Sequence, residues 1–161
     1  MQNKMGTNEA ELAFTAQALV VAGKGILAAD ESEGTIKKRL NSIGVDSTEA
    51  NRRTYRELLF TTRKMEEAIS GVILFEETLY QKDAEGRPFP QLLKEKGIIP
   101  GIKVDKGKID LPGFAGEKVT EGLDGLGERL DQYRQAGAQF AKWRAVYTIG
   151  EHLPTRTGIH V

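Results

Sequence analysis

Cysteine is missing from all 161 residues, which removes disulfides, thiolate zinc sites, iron–sulfur clusters and cysteine nucleophiles from consideration. Histidine is nearly missing: His152 and His160 stand in a C-terminal stretch without metal-ligand spacing and are read as surface residues, so no metal is expected. Neither sign of charge is in excess, with 23 Lys and Arg against 23 Asp and Glu. A general nucleic-acid binder carries a basic surplus, so no nucleic-acid partner is expected. Long apolar runs are absent too; none approaches the ~20 residues of a membrane helix. The start, Met1-Gln2-Asn3-Lys4-Met5, lacks the apolar centre of a signal peptide. A cytoplasmic protein with no membrane partner is the expectation.

What is present suits one packed domain. Hydrophobic residues make up 39% and charged residues 29%, with a mean hydropathy of −0.40, which fits a globular chain and not a disordered one. Residues 1–8 are polar and expected to form a flexible terminus, which leaves 9–161 as the folded unit.

Along that unit, apolar runs alternate with helical patterns. Leu12, Ala16, Leu19 and Val20 share one helix face, with Asn8 as the expected N-cap and Gly23 as the stop. Residues 25–30 read as a buried strand. A short helix follows over 35–43, closed by Gly44. Asp46 and Glu49 have capping-box spacing and are expected to open a helix with Tyr55, Leu58, Leu59 and Thr62 on one stripe. Residues 69–75 read as a second strand, 80–89 as a surface loop, 91–96 as a helix and 98–105 as a third strand. Residues 106–120 read as a long loop. Leu123, Leu126, Leu130 and Tyr133 mark a further helix before a fourth strand over 140–146. The tail shows no clear element.

Strand and helix in alternation predict an α/β fold of βα units around a parallel sheet. Four such units are half of a (β/α)₈ barrel, which takes roughly 250 residues. In such folds functional groups gather beyond the C-terminal ends of the strands. Three strands here end in charge: Asp30, then Lys103 with Asp105, then Lys142 with Arg144. The period of two puts Lys103 on the face of Gly101 and Asp105, Lys142 on that of Phe140 and Arg144, and Asp30 on that of Ala28. A carboxylate beside a lysine on a buried face is an arrangement that tunes a proton donor or acceptor. Ser32 and Thr35 stand where a strand meets a helix start, and either a helix cap or a phosphate site accounts for them. Glu76 and Glu77 follow the second strand within reach of the mouth beyond the strand ends, but a solvated turn is the expectation for them, and Trp143 is assigned to packing outside the sheet.

The stretches GKGILAADES, NRRTYRELL, GVILFEETLYQK, GRPFPQLLKEKGIIPGIKVDKG, EGLDGLGERLDQY and GAQFAKWRAV resemble class I fructose-1,6-bisphosphate aldolase. The likeness runs over 9–158 in long ordered blocks. It implies a TIM barrel, of which 9–161 would be the N-terminal half. It also implies a lyase that cleaves fructose 1,6-bisphosphate into triose phosphates through a Schiff base, with no metal or other cofactor. By motif, Asp30 and Lys142 would be catalytic, and Ser32, Thr35, Lys103 and Arg144 would bind substrate and phosphate. Thr35 stands where the family has serine and keeps the hydroxyl donor. The family's Schiff-base lysine lies on its sixth strand and its paired glutamates on the fifth, so this chain is expected to lack both and to be inactive alone. A homo-oligomer is the expected assembly, either the family tetramer or self-association of half-barrels. The alternative function is an inactive half-barrel that acts through self-assembly or sugar-phosphate binding.

Overall fold

The computed structural model describes residues 3–161, and their side chains from residue 8 onward. Four strands form one parallel sheet: β1 (Gly25–Ala29), β2 (Ile69–Leu74), β3 (Ile99–Lys103) and, as its fourth member, β6 (Phe140–Lys142). The spatial order β1-β2-β3-β6 follows the chain without a reversal. A doubly wound sheet reverses its order at a switch point; this one winds in a single direction, as a barrel wall does.

Alternation sends each strand's residues to two different environments. Ala29, Val72, Leu74, Ile102 and Val104 are buried against the helices. These are α3 (Glu49–Phe60), α4 (Glu76–Tyr80), α5 (Phe89–Glu95) and α6 (Leu126–Gln135), which contribute Phe60, Leu79, Phe89, Leu92, Leu93 and Tyr133 to that core. Phe60 and Phe89 meet edge to face, with ring centroids 5.2 Å apart. The opposite face carries Ala28, Ile73, Gly101 and Phe140, which the ladder registers place in one row. Two residues further along each strand the row becomes Asp30, Phe75, Lys103 and Lys142.

The first and last strands of this sheet touch across its concave side. Lys142 Nζ donates to Asp30 Oδ2 at 2.6 Å, although two strands separate β1 from β6. In a flat sheet three spacings of about 4.8 Å would hold those backbones about 14 Å apart. Curvature brings the side chains together, and the architecture is half a barrel.

Several local expectations need correction. The first helix, α1 (Asn3–Leu19), begins well before Asn8, so Asn8 is not its cap, and residues 3–8 belong to the helix. Its Leu12 is exposed, as is Val20 just past its end, because α1 meets the sheet near its C-terminus, where the Leu19 carbonyl accepts from Ser70 Oγ at 2.6 Å. Helix α2 (Glu33–Asn41) starts two residues earlier than read. Helix α3 is capped by Thr48, whose hydroxyl accepts from Asn51 N, and not by Asp46. Its buried stripe is Arg56 and Phe60; Leu58 is exposed. The loop before α5 is not wholly superficial, since Gln81 and Asp83 are buried in it. Residues 106–120 contain an antiparallel hairpin, β4 (Gly107–Asp110) with β5 (Lys118–Glu121). Leu123 is exposed and precedes α6. Strand β6 stops at Lys142, and the tail holds a short helix, α7 (Arg156–His160).

Candidate active site

Beyond the C-terminal ends of the four strands lies a cleft of about 530 Å³. Asp30, Ser32, Thr35, Lys103, Lys142 and Arg144 all line it, so every site residue read from the sequence converges there. Four elements deliver them. Asp30 follows β1, Ser32 and Thr35 sit at the start of α2, Lys103 ends β3, Lys142 ends β6, and Arg144 lies just past it.

The cleft is densely charged and almost internally balanced. Its lining includes five cations, Arg39, Lys103, Lys106, Lys142 and Arg144, and four carboxylates, Asp30, Glu31, Glu76 and Asp105. Four ion pairs join them. Lys142 meets Asp30 as described; Lys103 Nζ meets Asp105 Oδ1 at 2.9 Å and the Asp105 carbonyl at 2.7 Å. Lys106 Nζ meets Glu76 Oε2 at 2.9 Å, and Arg39 meets Glu31. Among the described residues Arg144 is the lining cation without a carboxylate partner. Pairing is what makes this crowding tolerable, because an unpaired charge away from water is costly.

Burial and partners tune these groups. Burial alone would raise the Glu76 carboxyl, but hydrogen bonds from Lys106 and from the Tyr133 hydroxyl (2.9 Å) outweigh it and hold Glu76 below its ordinary value. The Tyr133 phenol is pushed up, first by burial, against a lowering hydrogen bond from Arg129 and with further raising by Glu76. Arg39 is raised by its contact with Tyr55, 2.9 Å away, and by the charge of Glu31.

Ser32 is the N-cap of α2 by its backbone, with φ −62° and ψ 162°, yet its side chain makes no capping bond. Its hydroxyl lies 3.3 Å from that of Thr35. Both hydroxyls are therefore exposed to the cleft and not consumed by the helix.

Sequence reasoning reached Asp105 beside Lys103, set Glu76 aside as a solvated turn, and missed Glu31, Arg39 and Lys106 as members of the cleft's charge network. Glu76 was detectable: with Phe75 it follows β2 as Asp30 follows β1, so the same rule reaches it. Glu77, by contrast, faces Arg52 of α3. Glu31 was hidden because its partners, Arg39 and the buried Arg56, come from two different helices. His152 and His160 are exposed, and Trp143 is absent from the cleft wall.

Known proteins resemble the chain in sequence and in fold. The family profile described as fructose-bisphosphate aldolase class-I matches residues 11–161. A probable fructose-bisphosphate aldolase class 1 of Xylella fastidiosa is 59% identical over 145 residues, covering 90% of this chain and 43% of that protein. Cytosolic fructose-bisphosphate aldolase 6 of Arabidopsis thaliana is 59% identical over 150 residues, covering 93% and 42%. The solved Plasmodium falciparum fructose-bisphosphate aldolase superposes with a TM-score of 0.91 at 56% identity, over 94% of this chain and 44% of that one. The chain thus spans less than half the length of the relatives it matches. No helix among the described residues is long and apolar enough to cross a membrane. In sequence and in fold, a TIM-barrel wall of four strands, the chain belongs to the class I fructose-bisphosphate aldolase family.

Proposed function

We propose that this chain supplies the N-terminal half of a Schiff-base aldolase site and binds fructose 1,6-bisphosphate or its triose phosphate products. The observation that carries the reading is the convergence of Asp30, Lys142, Lys103, Arg144, Ser32 and Thr35 on one cleft. Retro-aldol cleavage builds negative charge beside the substrate carbonyl, and an iminium on a lysine absorbs it. In this reading the nucleophilic lysine is not in the chain. Asp30 and Lys142, paired at 2.6 Å, form the proton-handling couple next to where it would act. The Lys142 ammonium would also depress a neighbouring lysine's pKa by like-charge repulsion. Lys103 and Arg144 supply cationic contacts, and the Ser32 and Thr35 hydroxyls donate to phosphate oxygens. The reaction of this family needs no metal, so no cofactor enters the proposal. A cytosolic setting follows the names of the relatives.

The test is calorimetry of the chain with fructose 1,6-bisphosphate, followed by borohydride trapping. Binding is expected, weakened at least severalfold by Arg144→Ala, with no stable lysine adduct. A trapped adduct would show that the chain holds its own nucleophile, and absence of binding in a folded chain would overturn the reading.

A second reading rests on the sheet edges. The outer sides of β1 and β6 have no ladder partner among the described residues, and such edges recruit strands. Two copies that pair edge to edge would close eight strands around one axis. Under this reading the chain acts through self-assembly, with or without ligand.

A further inference from the structure

The chain beyond Lys142 has no ladder to hold it. Residues 143–149, which carry Arg144, belong to no helix or strand. Two hydroxyls attach them to the β4–β5 hairpin: Thr120 Oγ1 donates to the Arg144 carbonyl at 2.8 Å, and Thr148 Oγ1 donates to the Gly116 carbonyl at 2.7 Å. A third attachment lies further along and is of a different kind. Glu117, at the start of the hairpin's second arm, is 3% exposed, and its carboxylate takes both donors of Thr155, the amide at 2.9 Å and the hydroxyl at 2.6 Å. Gly158 of α7 lies directly against that carboxylate, and a Cβ there would collide with Oε1. The other end of the hairpin, Gly107, is part of the cleft wall.

We infer that Glu117 is a positioning residue: it latches the tail to the hairpin and so fixes the backbone that presents Arg144 to the cleft. A carboxylate can accept two hydrogen bonds from one threonine and needs a glycine beside it to fit, and the chain provides both partners within four residues. The hydroxyl bonds of Thr120 and Thr148 are exposed and individually weak. The buried carboxylate is the member of the seam that excludes water, so its loss frees the whole 143–158 segment. The consequence for ligand binding rests on the proposed role of Arg144.

The experiment compares the 161-residue chain with Glu117→Ala, Glu117→Gln and Gly158→Ala, using Asp110→Asn on the same hairpin as control. Three readouts apply: hydrogen exchange at the Thr155 amide, acrylamide quenching of Trp143, the sole tryptophan, and binding of fructose 1,6-bisphosphate. In Glu117→Ala, Thr155 exchange is expected to accelerate about tenfold or more. Quenching of Trp143 should rise and the ligand's Kd should increase severalfold. Glu117→Gln keeps one acceptor and should restore most of each, while Asp110→Asn should change nothing. Gly158→Ala gives a test of sign. Alanine normally favours a helix over glycine, yet here it should loosen Thr155, and combining it with Glu117→Ala should remove that penalty. Should Glu117→Ala fail to fold, Thr155→Val, which deletes one latch bond, replaces it in the same assays. Unchanged Thr155 exchange and Trp143 quenching in a folded Glu117→Ala chain would overturn the latch. If the parent chain binds no ligand, the functional reading falls, and exchange with quenching still decides the latch.

Discussion

Glu31 receives two guanidinium groups, and they differ in how far they are from water. Arg56 is 3% exposed and also bonds the Glu31 carbonyl at 3.1 Å, whereas the Arg39 side chain is 53% exposed. Removing a buried partner leaves a charge stranded, while removing an exposed one changes little. Arg56→Ala is therefore expected to destabilise the chain by about 3 kcal/mol, and Arg39→Ala by less than about 1 kcal/mol, in denaturant melts. Tyr133→Phe keeps the buried ring and deletes the donor to Glu76, at a cost of about 1 kcal/mol at neutral pH. The Glu76 carboxyl is lowered in the fold, so its contribution is full above the unfolded carboxylate value and lost as pH falls through the folded one. The gap between wild type and Tyr133→Phe should accordingly narrow on acidification, as measured by melts from neutral pH downward. At this scale the sequence was informative only where a rule reached the residue. Asp30, Lys103 and Lys142 follow from strand ends and alternation. Arg56 does not, because a buried arginine looks like any surface arginine until its carboxylate is located across space.

Among the elements, strands were legible where they lie in the core and illegible where they do not. The runs 69–75 and 98–105 are apolar because helices cover one face of the sheet, whereas 25–30, read as a buried strand, is an outer strand in which Ala29 is the one buried apolar residue and Ile26 is exposed. The hairpin is different: Lys108, Ile109 and Asp110 are exposed, so it offers no apolar run and reads as loop. Helix α3 was found with its stripe displaced: Leu59 packs against the core, Leu58 is exposed, and the buried positions include an ion-paired arginine. Strand packing also makes a prediction on the concave side. The Phe140 ring lies over Gly101, where any Cβ would strike it. Gly101→Ala is expected to cost about 1–3 kcal/mol, and Phe140→Ala should suppress most of that penalty in a double-mutant cycle. An additive pair would show that the ring is not what excludes the side chain.

For the whole molecule, the dominant fact is the curved sheet, whose two edges have no ladder partner among the described residues. The half-barrel was legible from chain length and strand count, since four βα units cannot close a circle. Its curvature was not, because no local pattern encodes the angle between neighbouring strands. Open edges and a half-exposed concave face predict concentration-dependent association, with sedimentation at micromolar concentration giving a species heavier than the monomer. A strict monomer would remove the second functional reading and leave the first intact.

The Asp30–Lys142 bond joins positions 112 residues apart. A contact so distant in the chain carries a loop-closure cost that short-range contacts do not. Fraying of either outer strand deprives the ammonium of its counter-charge, whatever the state of the middle of the sheet. Completion of the wall and formation of this ion pair are thus one event, and a partly folded chain presents a lysine at the rim without the carboxylate that accompanies it.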